Sequence, residues 1–217
     1  STITFNATSS GKTIDCSYTL GKVVFNGSGG VWTLNNNHLT TSGQVTATNG
    51  TVSGGIGYGI ICTVLLVNGG TVSVGDVTCQ AATGLSMTSG SLTVGQVGVT
   101  GAISLTGGTL NTALINCTTS LTINGADLNL TGGGGTGVAA GTTISMQAGT
   151  ISGATPGVVF GSGFGGTSIT FSGGTAALCC IAAQTSIAIQ GTADVTLYYN
   201  NNNTVAEWGT TFGVANT

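Results

Sequence analysis

The stretch that decides the fold is Ile103-Ser104-Leu105-Thr106-Gly107-Gly108-Thr109-Leu110. Its apolar residues at 103 and 105 flank a hydroxyl residue, which is the period-2 alternation of a β-strand with one buried face. Gly107 and Gly108 then allow the positive-φ conformations that a sharp corner needs. A second strand-like run begins at Thr109, so this stretch predicts a strand, a tight corner and another strand.

The same phrase recurs along the chain. Each copy has Ile, Val or Leu first, most often Ser or Thr second, and an apolar residue third, with an average spacing of about 20 residues. The ten copies begin at Ile3, Val23, Val45, Val64, Leu85, Ile103, Leu121, Ile144, Ile169 and Ile187. A repeat of strand, corner, strand and longer return in constant phase is typical of a β-solenoid.

The sequence therefore predicts an all-β protein, a single parallel β-helix (β-solenoid) of about ten turns with roughly 20 residues each. We expect one domain over 1–217, in which 190–217 forms a terminal turn or an assembly segment, and Gly-rich and Ala-rich loops within 132–141 and 153–166. A β-sandwich and an antiparallel barrel are the alternatives, since both use short strands and glycine turns. Neither requires the phrase to keep a constant phase.

Residues 103–110 and 85–94 carry a family resemblance. They resemble the right-handed parallel β-helices of bacterial surface proteins, of the kind found in autotransporter passengers and filamentous adhesins. The resemblance covers nearly the whole chain and is one of repeat pattern and composition. It implies secretion, a cell-surface or extracellular location, and adhesive or structural work. The first residue, Ser1, fits a mature product whose leader has been removed.

The composition excludes several classes of protein. Charged residues make up 3% of the 217, with 2 Lys+Arg against 5 Asp+Glu. Nucleic-acid binding needs a basic footprint that two lysines cannot supply. No apolar run reaches the roughly 18 to 20 residues of a membrane span. The 40% of hydrophobic residues indicates a folded chain rather than a disordered one.

Catalytic chemistry has little support in the sequence. Asp76, Asp127 and Asp194 lie in different copies of the repeat, farther apart than a glycosidase pair allows. His38 is the single histidine and lies in a polar stretch that predicts a solvated loop. We therefore expect no enzyme activity, no cofactor and no metal site.

Six cysteines suit an oxidising compartment and are candidates for disulfides. Most of them fall late in their copies of the repeat, where neighbouring turns would bring some of them together. They are Cys16, Cys62, Cys79, Cys117, Cys179 and Cys180. Six cysteines permit fifteen pairings, which the sequence does not rank, and buried free thiols are the alternative.

The second position of the repeat predicts an outward ladder of hydroxyl groups. It consists of Thr4, Thr46, Ser86, Ser104, Thr122, Ser145 and Thr170. Such a ladder could match a glycan or an ice lattice. The alternative is that Ser and Thr simply occupy an outward strand face from which charge is absent.

The two ends of the chain suggest self-association. Ile3 and Phe5 at one end, and Trp208 and Phe212 at the other, lie in strand-like, nearly uncharged segments. Two different exposed ends make a head-to-tail contact, which propagates into a filament unless it closes a ring. The leading hypothesis is a secreted structural subunit of an extracellular filament or sheath. A cell-surface adhesin that binds glycans or surfaces is the alternative, and an ice-binding protein is the third.

Overall fold

The computed structural model describes residues 1–132, 135–153, 158–160, 168–181, 183, 185–197 and 212–215. Within these residues the protein has 21 strands and no helix. The strands are β1 (Thr2–Phe5), β2 (Lys12–Ile14), β3 (Lys22–Leu34), β4 (Leu39–Thr40), β5 (Gln44–Gly54), β6 (Ile60–Cys62), β7 (Val64–Ser73), β8 (Asp76–Cys79), β9 (Thr83–Val99), β10 (Ala102–Leu105), β11 (Thr109–Cys117), β12 (Ser120–Leu130), β13 (Gly135–Ala140), β14 (Thr143–Gly153), β15 (Val158–Phe160), β16 (Ser168–Phe171), β17 (Thr175–Leu178), β18 (Cys180–Ile181), β19 (Ser186–Gln190), β20 (Asp194–Leu197) and β21 (Phe212–Ala215).

The strands form three parallel sheets. Strand β9 passes through all three: Leu85 pairs with Ile103, Leu92 with Leu110, and Val97 with Ile115. We call these the first, second and third sheets, in the order in which the chain meets them within a turn. Every segment pairs with the equivalent segment one turn away. The predicted parallel β-solenoid is therefore confirmed, with about nine turns of roughly 20 residues.

The third sheet was not predicted, because the return part of each copy has no constant spacing. Residues 135–140, expected as a loop, are strand β13, in which Val138 pairs with Ile115. Residues 158–160 form strand β15, which pairs with β13. A Gly-rich or Ala-rich segment has little strand propensity of its own. Pairing with a neighbouring turn decides the conformation of this segment instead.

The register of the first sheet agrees with nine of the ten predicted starting residues, and the fourth copy is wrong by one residue. Leu65, rather than Val64, pairs with Val45 on one side and Leu85 on the other. Leu65 is completely buried, whereas Val64 is half-buried. Four consecutive apolar residues at 64–67 have no alternation to read, so the neighbouring turns set the register.

The core fills the space between the three sheets. Most of the described strands alternate between inward apolar and outward polar side chains, as in β12, where Leu121, Ile123 and Leu128 are fully buried. Burial of an aliphatic side chain of this size contributes about 1.5–3 kcal/mol. Aromatic residues fill the core near the N-terminus, where Phe25 stacks on Phe5 with ring centroids 5.1 Å apart. Repeated burial of this kind stabilises a nearly uncharged protein.

Glycine forms the corner between the first and second sheets. Gly90 and Gly108 occupy equivalent positions and have φ of 85° and 81°. A Cβ on Gly108 would lie 2.6 Å from the carbonyl oxygen of Gly90 in the preceding turn. Both the backbone conformation and the close stacking of the turns therefore favour glycine here.

Candidate binding surface and assembly edge

The predicted hydroxyl ladder lies on the outer face of the first sheet. Its central part runs without interruption over five successive turns, from Ser86 to Thr170. Towards the N-terminus Val24 and Leu66 take the same position. Thr4 is exposed, and the other hydroxyl residues of the ladder are half-buried.

A more regular polar surface lies on the second sheet, and the sequence analysis missed it. Here two outward positions flank one buried apolar residue in each turn. The first row contains Thr51, Thr71, Ser91, Thr109, Asp127, Thr150, Thr175 and Asp194, and the apolar Val31 takes the same position one turn before Thr51. The second row contains Thr33, Ser53, Ser73, Thr93, Asn111, Asn129, Ser152 and Thr196, with Ala177 as its one apolar member. We call the two rows the polar grid.

The spacing of the polar grid follows from strand geometry. Neighbouring turns are about 4.8 Å apart, and the two rows are about 6.6 Å apart along the strand. The signal was present in the sequence as Thr-Val-Ser at 51–53 and 71–73 and Ser-Leu-Thr at 91–93. The repeat phrase begins at the first strand of each turn, so its spacing alone does not reveal these positions on the second sheet.

Hydrogen bonds between turns order parts of the polar grid. The Nδ2 of Asn129 donates to Oδ1 of Asn111 at 2.8 Å, and the Nδ2 of Asn111 donates to Oγ1 of Thr93 at 3.1 Å. The hydroxyl of Thr150 donates to the Asp127 carboxylate. These bonds restrict the side-chain rotamers, so the grid presents polar atoms in a preorganised pattern.

Beside the polar grid lies a shallow cavity of about 490 Å³ at the corner with the third sheet. Its lining includes Val74, Gly75 and Asp76, together with Ile56 from the connecting loop. Ile56 is completely exposed. A single exposed apolar side chain is ordinary on a protein surface, so Ile56 does not by itself mark a contact site.

The first turn ends in a partly open apolar edge. Strand β1 pairs with β3 alone among the described residues, which leaves its other edge without a β-partner. Ile3 is 38% exposed, while Val23, its partner in the next turn, is buried. Phe5 is half-buried on Phe25. The structure therefore places the predicted end residues Ile3 and Phe5 where the inner apolar columns emerge.

The other predicted end is described only in part. Phe212 pairs with Ile187, so β21 continues the first sheet by one more strand, and β20 continues the second sheet. The side chain of Phe212 and all of Trp208 lie outside the described residues.

Three of the cysteines lie inside the third sheet. Cys62, Cys79 and Cys117 are buried there, and the sulfur atoms of Cys62 and Cys79 are 3.7 Å apart. All five cysteines with described side chains, Cys16 and Cys179 included, are free thiols. The side chain of Cys180 lies outside the described residues.

The environment opposes the ionisation of Cys62 and Cys117, whereas the hydrogen bond with Cys62 lowers the pKa of the Cys79 thiol. The hydrogen bond shared with Cys79 and burial raise the pKa of the Cys62 thiol. Burial raises the pKa of Cys117 to about 12. The thiols of Cys62 and Cys117 are therefore neutral in the folded protein at physiological pH.

The remaining ionisable residues are dispersed. The polar grid places Asp127 and Asp194 three turns apart, or about 14 Å at the usual spacing of strands. The Nδ1 of His38 accepts a hydrogen bond of 2.9 Å from the backbone N–H of Gly59. Asp15 accepts hydrogen bonds from the side chains of Asn36 and Asn37. Within the described part of the chain, no three His, Cys, Asp or Glu residues gather into a group that could hold a metal ion.

Comparisons of this chain with protein-family models, with curated proteins and with solved structures find no match. Among the residues that the structure describes, no helix has the length and apolarity needed to cross a membrane. The arguments about function therefore depend on the surfaces of this solenoid.

Proposed function

We propose that this protein is a secreted structural subunit that stacks head to tail with its own copies into an extracellular filament or sheath. The observation that carries the proposal is the open edge of β1, where Ile3 and Phe5 lie at the end of the inner apolar columns. An exposed strand edge is a template for pairing with another strand. A second parallel strand would satisfy its hydrogen bonds and bury its apolar residues.

The best partner for this edge is a strand of the same kind as β3, which pairs with β1 from the other side. Another copy of the chain offers such a strand in β21, which continues the first sheet at the far end. Charge does not oppose the contact, because charged residues are 3% of the chain. The likeness to bacterial surface β-helices supports an extracellular location.

Electron microscopy and sedimentation of the purified protein test this proposal. We expect unbranched fibres whose amount rises with protein concentration. Ile3→Lys should prevent them, because the lysine would be buried without a partner in each interface. Thr4→Lys is the matched control, since Thr4 lies on the outer face of the same strand. Folded monomers of the unchanged protein at high concentration would contradict the proposal.

A second candidate function is a binding module for neutral glycans or cell surfaces, and the polar grid favours it. Hydroxyl and amide groups in two ordered rows suit a ligand that repeats its own hydroxyl groups. A glycan array probed with the monomer tests this candidate. Thr71→Tyr on the grid should abolish the signal, whereas Thr122→Tyr on the first sheet should not.

The ice-binding alternative uses the same surface, and thermal hysteresis separates it from glycan recognition. We expect a hysteresis that is lost in Thr71→Tyr if ice is the ligand. A glycan-binding module leaves the freezing point unchanged.

A further inference from the structure

Two cysteines face each other on adjacent turns of the third sheet. Cys62 ends β6 and Cys79 ends β8, and the parallel register pairs them directly. Their side chains are 1% and 0% exposed. The two sulfur atoms are 3.7 Å apart, which is close enough for a hydrogen bond between the two thiols.

The backbone geometry allows these two sulfur atoms to bond. Directly paired residues on neighbouring parallel strands have Cα atoms about 4.8 Å apart. Disulfides occur at Cα separations of about 4.4–6.8 Å, with a sulfur–sulfur bond of about 2.05 Å. Directly paired side chains on parallel strands leave their Cβ atoms about as far apart as their Cα atoms, whereas a disulfide needs a Cβ separation of about 3.5–4.5 Å. A rotation of the two side chains, together with a small approach of the two strands, brings the sulfurs into bonding distance.

The register excludes the other pairings among the described cysteine side chains. Val99 lies between Cys79 and Cys117 in the stack, so these two cysteines are about 9.6 Å apart. That distance exceeds the roughly 7 Å beyond which the backbone would have to move. Cys16 lies in the first turn, with Thr41 and its turn between it and Cys62. Cys179 lies several turns beyond Cys117.

We propose that Cys62 and Cys79 form a disulfide that joins two adjacent turns when the chain folds with a small disulfide, such as oxidised glutathione, as the oxidant. One cysteine thiolate attacks the oxidant, forms a mixed disulfide and releases one glutathione thiolate. The second cysteine then attacks the protein sulfur of the mixed disulfide and releases the second. The two cysteine protons end on the two glutathione molecules, which carry the two electrons.

Burial sets the time at which this reaction occurs. Once the turns are stacked, both sulfurs are closed to an oxidant, so the bond forms while this part of the solenoid is still packing. It then closes a loop between residues 62 and 79 and restricts the unfolded chain. The inference does not depend on fibre formation, because both cysteines lie in the interior of one chain.

Peptide mapping without reduction tests the inference. The full chain is folded with oxidised glutathione and then unfolded in denaturant with an alkylating agent that blocks free thiols. It is then cleaved after Lys, before Asp and after Met. This cleavage separates Cys16 (15–22), Cys62 (23–75), Cys79 (76–87) and Cys117 (88–126) into four peptides. We expect 23–75 joined to 76–87, two hydrogens lighter than the sum of the two thiol peptides. Alkylated Cys62 and Cys79 in separate peptides, or either one joined to a different cysteine, would overturn the inference.

Denaturant unfolding supplies a second readout. Reduction should lower the unfolding midpoint of the unchanged protein, because the loop constraint is lost. Cys62→Ala and Cys79→Ala should both abolish this response to reductant. Cys117→Ala is the matched control, since it also removes a buried thiol from the third sheet, and it should respond as the unchanged protein does. An equal response in all three variants would overturn the inference.

Discussion

The residues on which this solenoid depends are buried side chains and glycines. Gly108 turns the corner between two sheets, with φ of 81° and a carbonyl oxygen of the neighbouring turn close to the position that a Cβ would occupy. Cys117 is a small apolar residue of the third sheet whose thiol is too deeply buried to ionise readily. Stability in this protein therefore depends on steric fit and burial more than on charge.

Gly108→Ala should destabilise the protein by more than about 2 kcal/mol. The left-handed conformation alone costs about 1–2 kcal/mol for an L-residue, and the new Cβ would contact the Gly90 carbonyl oxygen at 2.6 Å. Gly98→Ala is the control, because its Cβ would have no atom nearer than 3.9 Å. That variant should be neutral or gain about 0.5 kcal/mol. Urea unfolding measures both, and equal losses would contradict the steric explanation.

Cys117 should make stability fall as the pH rises above about 9. Its pKa is raised from 9.0 to about 12 by burial, so the unfolded thiol loses its proton at a pH where the folded thiol keeps it. The unfolded state is then favoured by about 1.4 kcal/mol per pH unit until the folded pKa is reached. Below pH 9 this contribution to stability is fully retained.

Urea unfolding from about pH 8 to pH 11 compares the unchanged protein with Cys117→Ala. The other titrating groups contribute equally to both and cancel. The variant should show the smaller loss of stability with pH, and identical slopes would contradict this assignment.

At the scale of the strand, the alternation of polar and apolar residues decides which face is buried. Where a run of residues is entirely apolar, the neighbouring strands decide instead. In β12 the polar and apolar residues alternate on either side of the corner at Asn124 and Gly125, and the predicted register is confirmed. In β7 the run 64–67 is entirely apolar, and hydrogen bonding to β5 and β9 selects Leu65 for the core. A shift of one residue moves every side chain of a strand to the opposite face.

The two candidate registers of β7 predict opposite results from alanine substitution. With Leu65 inside, Leu65→Ala should cost about 2–5 kcal/mol. Val64→Ala, on the half-buried outer face, should cost less than about 1 kcal/mol. Chemical denaturation measures the difference, and a larger cost at Val64 would restore the register expected from the sequence.

The described part of the molecule is a stack in which each turn packs mainly on its neighbours. Strands in the middle have partners on both sides, as β10 has in β9 and β12. Strand β1 has a partner on one side among the described strands. In a stack of this kind, stability is a sum of the turns and their interfaces. The terminal turn is therefore expected to open first.

Native-state hydrogen exchange should reveal this gradient. Amides of β10 should exchange at least about 100-fold more slowly than those of β1, because opening in the middle breaks two interfaces. If copies stack on β1 as proposed, its protection should rise towards that of β10 in the assembled sample. Uniform protection in the monomer would contradict the description of the ends.

The sequence by itself determined the architecture and one outer face. Alternation and glycine corners are local properties, and their constant repetition is enough to specify a parallel stack with Ser104 and Thr122 on the outside. Only the tertiary structure decided that Leu65 points inward, that a third sheet closes each turn and that Cys62 meets Cys79. These features depend on which residues face each other across turns, and returns of variable length hide that register from the sequence.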